Sequence, residues 1–349
     1  MRPPPRRRRV LICEDSPTYA AGLRRMLEYD GDITVAAIVA TAEDAITALP
    51  RIRPDLVTMD IALPGMDGIA AVERIMGAVP VPILVLSGMV GHGTDKSAAA
   101  LAAGALEAVA KDDLDLREPG RAVGAAFRRR VRTLSHARVI RHPRGRLRDS
   151  PDGRDHVRHA AVIGICSSTG GPQVLVRLLE MLPADYPIPV LVVQHIAAGF
   201  TAGLVRWLDQ MIPLPVDIAT NLAPIRPGVH FAPEDAHLKL TATGRVSLDQ
   251  ETVTGGHRPS GDVLLESIAV SAGPLGVAVV LTGMGADGAA GAAAVQGMGG
   301  LAIAQDEASS AIYGMPKVAA ELGVELALPP PDIAARLLAL VHEPLPGAL

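Results

Sequence analysis

The chain has 349 residues, 49% hydrophobic and 20% charged, with a net charge of −4, a balance that excludes a disordered polypeptide. No apolar run reaches the roughly 18 residues of a membrane span, and the apolar stretch at residues 10–13, behind the basic start MRPPPRRRR, is too short for a signal peptide. Two cysteines, Cys13 and Cys166, exclude a disulfide framework or a cysteine-only metal site and fit a reducing cytoplasm.

From residue 10 onward, short apolar runs alternate with amphipathic stretches at the spacing of βα units. Strands are expected at 10–13, 33–39, 56–59, 83–86 and 106–110, and helices at 17–29, 42–49, 68–76 and 119–133. Five parallel strands with helices on both faces make a small doubly wound sheet. Ligands of such sheets sit outside the carboxyl ends of the strands. Three acids stand there: Glu14 and Asp15 after the first strand, and Asp60 after the third. Ser87 ends the fourth strand and Lys111 follows the fifth. Clustered carboxylates repel unless a cation joins them, and a hard ion such as Mg²⁺ suits oxygen donors. A hydroxyl and an ammonium beside them can hold phosphoryl oxygens, and an aspartate can attack phosphorus. The plainer alternative is that Asp15 and Asp60 cap helices.

The segments VLICEDS, PDLVTMDIALPGMDG and LVLSG resemble the receiver domain of two-component response regulators. The resemblance implies a flavodoxin-like fold in which Asp60 is phosphorylated by a sensor histidine kinase. Glu14, Asp15 and Asp60 would bind Mg²⁺, and Ser87 and Lys111 would contact the phosphoryl group. Two positions depart from the pattern: Ala108 replaces the usual aromatic, and Asp112 replaces the proline after the lysine.

Residues 117–158 carry thirteen arginines and a local net charge of +9, and the tail at 1–9 adds five more. Such a segment binds an anionic partner or serves as a solvated linker between acidic bodies. None of the chain's eight aromatics lies between Arg128 and Arg158, so a stacking platform for single strands is missing and no nucleic-acid partner is expected. The expected division is a basic tail at 1–9, a first domain at 10–134, an arginine-rich linker at 135–158 and a second domain at 159–349. By screening repulsion between its neighbours, the linker would make any activation ratio salt-dependent.

The second domain repeats the α/β alternation, with buried strands expected at 160–165, 190–194, 276–281 and 301–305. Pro and Gly punctuate residues 213–233, where extra hairpins or irregular strands are expected. The first strand runs into Cys166-Ser167-Ser168-Thr169-Gly170-Gly171 and a helix from Pro172. The second ends at Gln194-His195, and the third runs into Thr282-Gly283-Met284-Gly285-Ala286-Asp287-Gly288. Ser168, His195 and Asp287 thus follow three separate strands, as a nucleophile, a general base and a base-orienting acid would. Taken singly, Ser168 could cap a helix, His195 could be a buried polar residue and Asp287 a turn residue. The chain order and the missing G-x-S-x-G elbow exclude an ordinary α/β-hydrolase. A rival reading takes Gly283-x-Gly285-x-x-Gly288, with Asp306 23 residues after Gly283, as a dinucleotide fingerprint. It leaves Ser168 and His195 without a task.

The segments SSTGGP, QHIAAGFT, APEDAHLKL, HRPSGDVLLESIA, LTGMGADGAAG and AQDEASSAIYGMP, in that order, resemble the chemotaxis-type protein-glutamate methylesterases, which are also protein-glutamine deamidases. The resemblance implies a doubly wound parallel sheet and a Ser168-His195-Asp287 hydrolase with Thr169 and Met284 bordering the pocket. No cofactor is expected for the esterase. Its partners would be the cytoplasmic helices of chemoreceptors, with no membrane insertion. Ser167 stands where the family has a small residue, and Cys166 where it has glycine. The alternatives are a phosphorylation-dependent binding module without catalysis, and the same esterase acting on a non-chemotaxis receptor.

Overall fold

A computed structural model of the chain describes residues 7–88, 93–137, 162–251 and 256–341. Most of the basic tail and of the 135–158 linker lies outside the described residues. The chain divides into two compact units, residues 1–143 and 144–349.

The N-terminal unit alternates β1 (Arg8–Cys13), α1 (Pro17–Glu28), β2 (Ile33–Val39), α2 (Ala42–Ile52), β3 (Leu56–Asp60), α3 (Gly68–Ala78), β4 (Ile83–Ser87), α4 (Gly93–Ala103), β5 (Glu107–Ala110) and α5 (Ala122–Leu134). Every strand pair is parallel, in the order β2-β1-β3-β4-β5. Strands β3 and β4 are buried at every position, as expected of a sheet covered on both faces. Its topological switch lies between β1 and β3, where Glu14 and Asp60 emerge. Helix α4 was not expected, because its alanine-rich sequence GTDKSAAALAA carries only a weak apolar stripe. Helix α5 starts at Ala122 rather than 119, behind Arg121 in extended conformation.

The C-terminal unit contains β6 (Val162–Ser167), α6 (Gly171–Leu179), β7 (Val190–Gln194), α7 (Thr201–Met211), β8 (Val216–Ile218), β9 (Val229–Phe231), β10 (His237–Leu240), β11 (Val246–Asp249), α8 (Gly261–Ala272), β12 (Gly276–Val280), α9 (Ala289–Gly297), β13 (Leu301–Gln305), α10 (Met315–Glu321), β14 (Leu326–Leu328) and α11 (Pro330–Ala339). Seven strands form one parallel sheet in the order β14-β13-β12-β6-β7-β9-β8. The chain builds outward from β6 on one flank and then returns through α8 to β12 on the other. The switch therefore falls between β6 and β12, where ligands of such sheets bind. Residues 213–233 supply the parallel strands β8 and β9 rather than a hairpin. Each has three residues, too few for periodicity to reveal direction. The antiparallel hairpin, β10–β11, comes later and packs Leu238, Leu240 and Val246 onto Leu264, Leu265 and Ile268 of α8.

One glycine explains how α8 reaches the sheet. A Cβ at Gly164, in the middle of β6, would lie 2.5 Å from Leu265 and 2.6 Å from Ile268. Together the two faces of this sheet bury an apolar core of Val, Leu, Ile and Ala side chains at 0% to a few per cent exposure.

Candidate active site

In the N-terminal unit Glu14, Asp15 and Asp60 do not cap helices. Ser16 caps α1, accepting from Tyr19 N–H, and Asp67 caps α3, accepting from Ile69 and Ala70 N–H. Asp15 and Asp60 are left for another task. Asp60 is buried, with Oδ1 accepting from Ala62 N–H (3.1 Å) and Oδ2 from Lys111 Nζ (2.8 Å). Lys111 Nζ also pairs with Glu14 Oε2 at 2.7 Å, so one ammonium joins both buried carboxylates. Carboxylate oxygens of Glu14, Asp15 and Asp60 come within 4.8 Å of one another. Three carboxylates gathered this closely form an oxygen-only donor set that fits a hard divalent cation such as Mg²⁺. Burial raises the carboxyl of Glu14 above its usual range, against the pull of Lys111. Burial works against the charge of Lys111 too, but the Asp60 and Glu14 carboxylates outweigh it and raise its ammonium. Lys111 additionally lies 4.6 Å from the Tyr19 ring centroid. Ser87 is buried at the end of β4, its hydroxyl donating to Gly88 O (3.3 Å).

In the C-terminal unit, the carboxyl ends of β6, β7 and β12 bring the second set together. His195 Nε2 and Asp287 Oδ2 are 2.7 Å apart. Asp287 Oδ1 accepts from Ser260 Oγ (2.7 Å) and Asp262 N–H (3.1 Å), and Oδ2 also from Gly261 N–H (2.6 Å). Burial by itself would raise this carboxyl. The bonds from His195, Ser260, Gly261 and Asp262 outweigh burial and hold it well below the carboxylate range. An ionised Asp287 can only accept, so Nε2 carries the ring proton and Nδ1 carries the lone pair. Nδ1 is buried with no hydrogen-bond partner, so no bond joins it to Ser168. It is free to receive a proton.

Ser168 follows β6 in the turn before α6, half-buried, and its N–H donates to Thr282 O (3.0 Å). It does not cap that helix, since Gly170 holds the cap position with no side-chain bond. Gly283 lies directly alongside; a Cβ there would meet Ser168 Cβ at 2.6 Å. Thr169 is buried, its carbonyl 3.0 Å from Thr282 Oγ1, and Met284 is half-buried in the loop after β12.

The glycine run 283–288 is occupied with this loop. Gly283 N–H bonds Ile312 O and its carbonyl accepts from Met315 N–H. Asp306, the ribose-binding acid of the dinucleotide reading, instead accepts from Ser309 N–H (3.1 Å) and holds the Ser309 hydroxyl.

Sequence reasoning did not single out four residues around this site. His257 stacks on His195 with centroids 4.4 Å apart and planes 7° from parallel. Burial, then the repulsion two charged rings would feel at this distance, lowers its pKa against the pull of Asp287, favouring a neutral ring. Ser260 fixes Asp287, and Gln194 and Gln305 brace the loops. All four lie inside the motif segments quoted above, but nothing local distinguishes a residue that braces the site from its neighbours in those segments.

The match to known proteins covers both units. Residues 163–337 match the family model of the CheB methylesterases, and residues 10–117 that of the response regulator receiver domain. The chain is 40% identical over 340 residues to protein-glutamate methylesterase/protein-glutamine glutaminase 4 of Myxococcus xanthus (strain DK1622), covering 94% of this chain and 96% of the relative. It is 38% identical over 340 residues to the corresponding protein 3 of Anaeromyxobacter dehalogenans (strain 2CP-C), covering 95% and 98%. The crystal structure of the Thermotoga maritima CheB methylesterase catalytic domain superposes with a TM-score of 0.50 at 39% identity, covering 52% of this chain and 99% of that one.

Proposed function

Because this chain belongs to the CheB methylesterase family and carries a response regulator receiver domain, we propose that it is a phosphorylation-controlled enzyme acting on chemoreceptors. It demethylates glutamate methyl esters, and deamidates particular glutamines, on the receptors' cytoplasmic helices. Residues 10–134 are the receiver, 135–158 the linker and 159–349 the catalytic domain. No helix among the described residues is long and apolar enough to cross a membrane, in keeping with a cytoplasmic site of action.

One observation carries the esterase reading: a buried imidazole lone pair, oriented by an ionised Asp287, at the strand end beside Ser168. Ser168 Oγ attacks the ester carbonyl carbon as its proton passes to His195 Nδ1. The bond to the methoxy oxygen breaks, Nδ1 returns the proton, and methanol leaves an acyl-enzyme. Water then loses a proton to the same nitrogen and attacks the acyl carbon. The bond to Ser168 breaks, its hydroxyl regains the proton, and glutamate is freed. Asp287 holds the productive tautomer and stabilises the imidazolium. Ser168 N–H is committed to Thr282 O, so the oxyanion falls to other N–H groups of these loops. A glutamine reacts by the same route with ammonia as the leaving group.

In the receiver, an Asp60 oxygen attacks the phosphorus of a histidine-kinase phosphodonor, and the bond to the donor breaks. Lys111 exchanges its Asp60 contact for a phosphoryl oxygen, and Ser87 holds another. Mg²⁺ bound by Glu14, Asp15 and Asp60 would neutralise charge on the transferring group.

The test is methanol release from methyl-labelled chemoreceptor membranes, with and without acetyl phosphate and Mg²⁺. Ser168→Ala abolishes release, a loss of about 1,000-fold or more, with the fold intact. Asp60→Asn keeps the basal rate and loses its rise with the phosphodonor. Retained activity in Ser168→Ala would shift the nucleophile elsewhere. No release from intact protein phosphorylated at Asp60 would favour another methylated target or a binding module.

A further inference from the structure

Two buried side chains between Ser168 and His195 have no role in the chemistry just described. Ser167 ends β6 at 0% exposure and Gln194 ends β7 at 7%, and the two are register partners in the sheet. Ser167 Oγ donates to Gln194 Oε1 at 2.6 Å. Gln194 Nε2 then donates both of its hydrogens, one to Ser168 O (2.9 Å) and one to His195 O (2.8 Å). The reverse orientation of the amide would aim its oxygen at two carbonyl oxygens, which cannot donate. The two carbonyls therefore select this orientation, and the Ser167 hydroxyl satisfies the Oε1 that it leaves buried. The fit is tight: a Cβ at Gly171 would lie 2.2 Å from Gln194 Oε1 and 2.9 Å from Ser167 Oγ.

We propose that Gln194, its oxygen held by Ser167, is a positioning residue that sets the spacing between Ser168 and His195 by binding both of their backbone carbonyls to one amide nitrogen. The proposal rests on the assignment of Ser168 and His195 as nucleophile and base. The physical need is plain from the same geometry. The two residues sit on different strands, and Ser168 Oγ makes no hydrogen bond to Nδ1 that could hold them in register. Backbone bonds between β6 and β7 reach as far as His195 N–H on Ser167 O (2.9 Å), one residue short of Ser168. The amide extends that coupling past the end of the strand. Its loss leaves binding surfaces in place and misplaces the attacking oxygen relative to its base.

The test uses the full-length protein, activated with acetyl phosphate and Mg²⁺ on methyl-labelled receptor membranes. Gln194→Met keeps length and bulk but donates nothing. It should lower kcat by about 10- to 100-fold with KM within about twofold, the signature of misplacement rather than weakened binding. Gln194→Glu should be similarly impaired when ionised. Burial against two carbonyl oxygens raises such a carboxyl, so its kcat relative to wild type should recover partly as pH is lowered, because the protonated form regains one donor. A packing role alone gives no such pH dependence. Ser167→Ala removes a single hydroxyl, leaves the buried Gln194 Oε1 without its donor and loosens the amide's hold, and should lower kcat by about 3- to 10-fold. If Gln194→Met fails to fold, Ser167→Ala and the pH profile of Gln194→Glu decide the matter. Gln194→Met or Ser167→Ala with kcat within twofold of wild type overturns the proposal, as does a loss confined to KM. Failure of the underlying assignment is a different outcome: Ser168→Ala, run in parallel, would then retain activity.

Discussion

Asp287 accepts from His195, Ser260 and the N–H groups of Gly261 and Asp262, all of which favour its ionised form. Its folded-state pKa is therefore held below the unfolded value. Its stabilisation is fully present above the usual carboxylate range and is lost as pH falls through the folded value. Asp287→Asn should lower the urea midpoint at neutral pH, and the gap to wild type should narrow as pH falls from about 5 to 2. A gap independent of pH would mean that the lost stability comes from packing. Cysteine chemistry at this scale is silent. Cys13 and Cys166 are 1% and 0% exposed. Burial first, then nearby carboxylates, pushes the Cys13 thiol up to about 12 and raises that of Cys166 well above its usual range. Neither should react with a thiol reagent at pH 8 until the protein unfolds, whereas rapid labelling of the native protein would contradict this burial.

At the scale of elements, α8 and α9 cap one another across the site. Asp287, just ahead of α9, receives the first N–H groups of α8, while Asp262, in the first turn of α8, accepts from Gly291 N–H of α9 at 2.8 Å. Each helix thus supplies the anion that the other's N-terminus attracts. Burial raises the Asp262 carboxyl above its usual range, against the N–H groups of Gly291, Gly288 and Ala290, so ionisation at this position opposes folding. Asp262→Asn keeps an acceptor without the buried charge and should stay within about 1 kcal/mol of wild type. Asp262→Ala should cost about 1–2 kcal/mol and lower kcat, because α9 carries Asp287 at its start. Urea unfolding and methanol release measure both effects. Equal behaviour of the two variants would show that the acceptor is not what matters.

For the whole molecule, each unit has its own sheet and core, and each sheet has its own switch point with its own cluster of polar side chains. Residues 159–349 expressed alone should therefore release methanol from methyl-labelled receptors in a Ser168-dependent way, with no response to acetyl phosphate. Failure of that fragment to fold would show that its core depends on the N-terminal unit.

The sequence alone determined a good deal of this protein. Apolar strands buried on both faces leave an unmistakable pattern, so β7 and β13 stand where their residues predict. Chemistry confined to strand ends, Glu14, Asp60, Ser168, His195 and Asp287, follows from that pattern because parallel sheets expose those ends. Elements with weak periodicity escaped it: α4 lacks a strong apolar stripe, and β8 and β9 are too short to alternate. Only the tertiary structure decided which strands are neighbours, and with that everything that depends on through-space contact. The tautomer of His195, the grip of Gln194 on two carbonyls, the stacking of His257 and the reciprocal caps of α8 and α9 all join residues from separate elements. Local sequence encodes periodicity and turn chemistry, whereas these contacts arise only when packing closes the sheet.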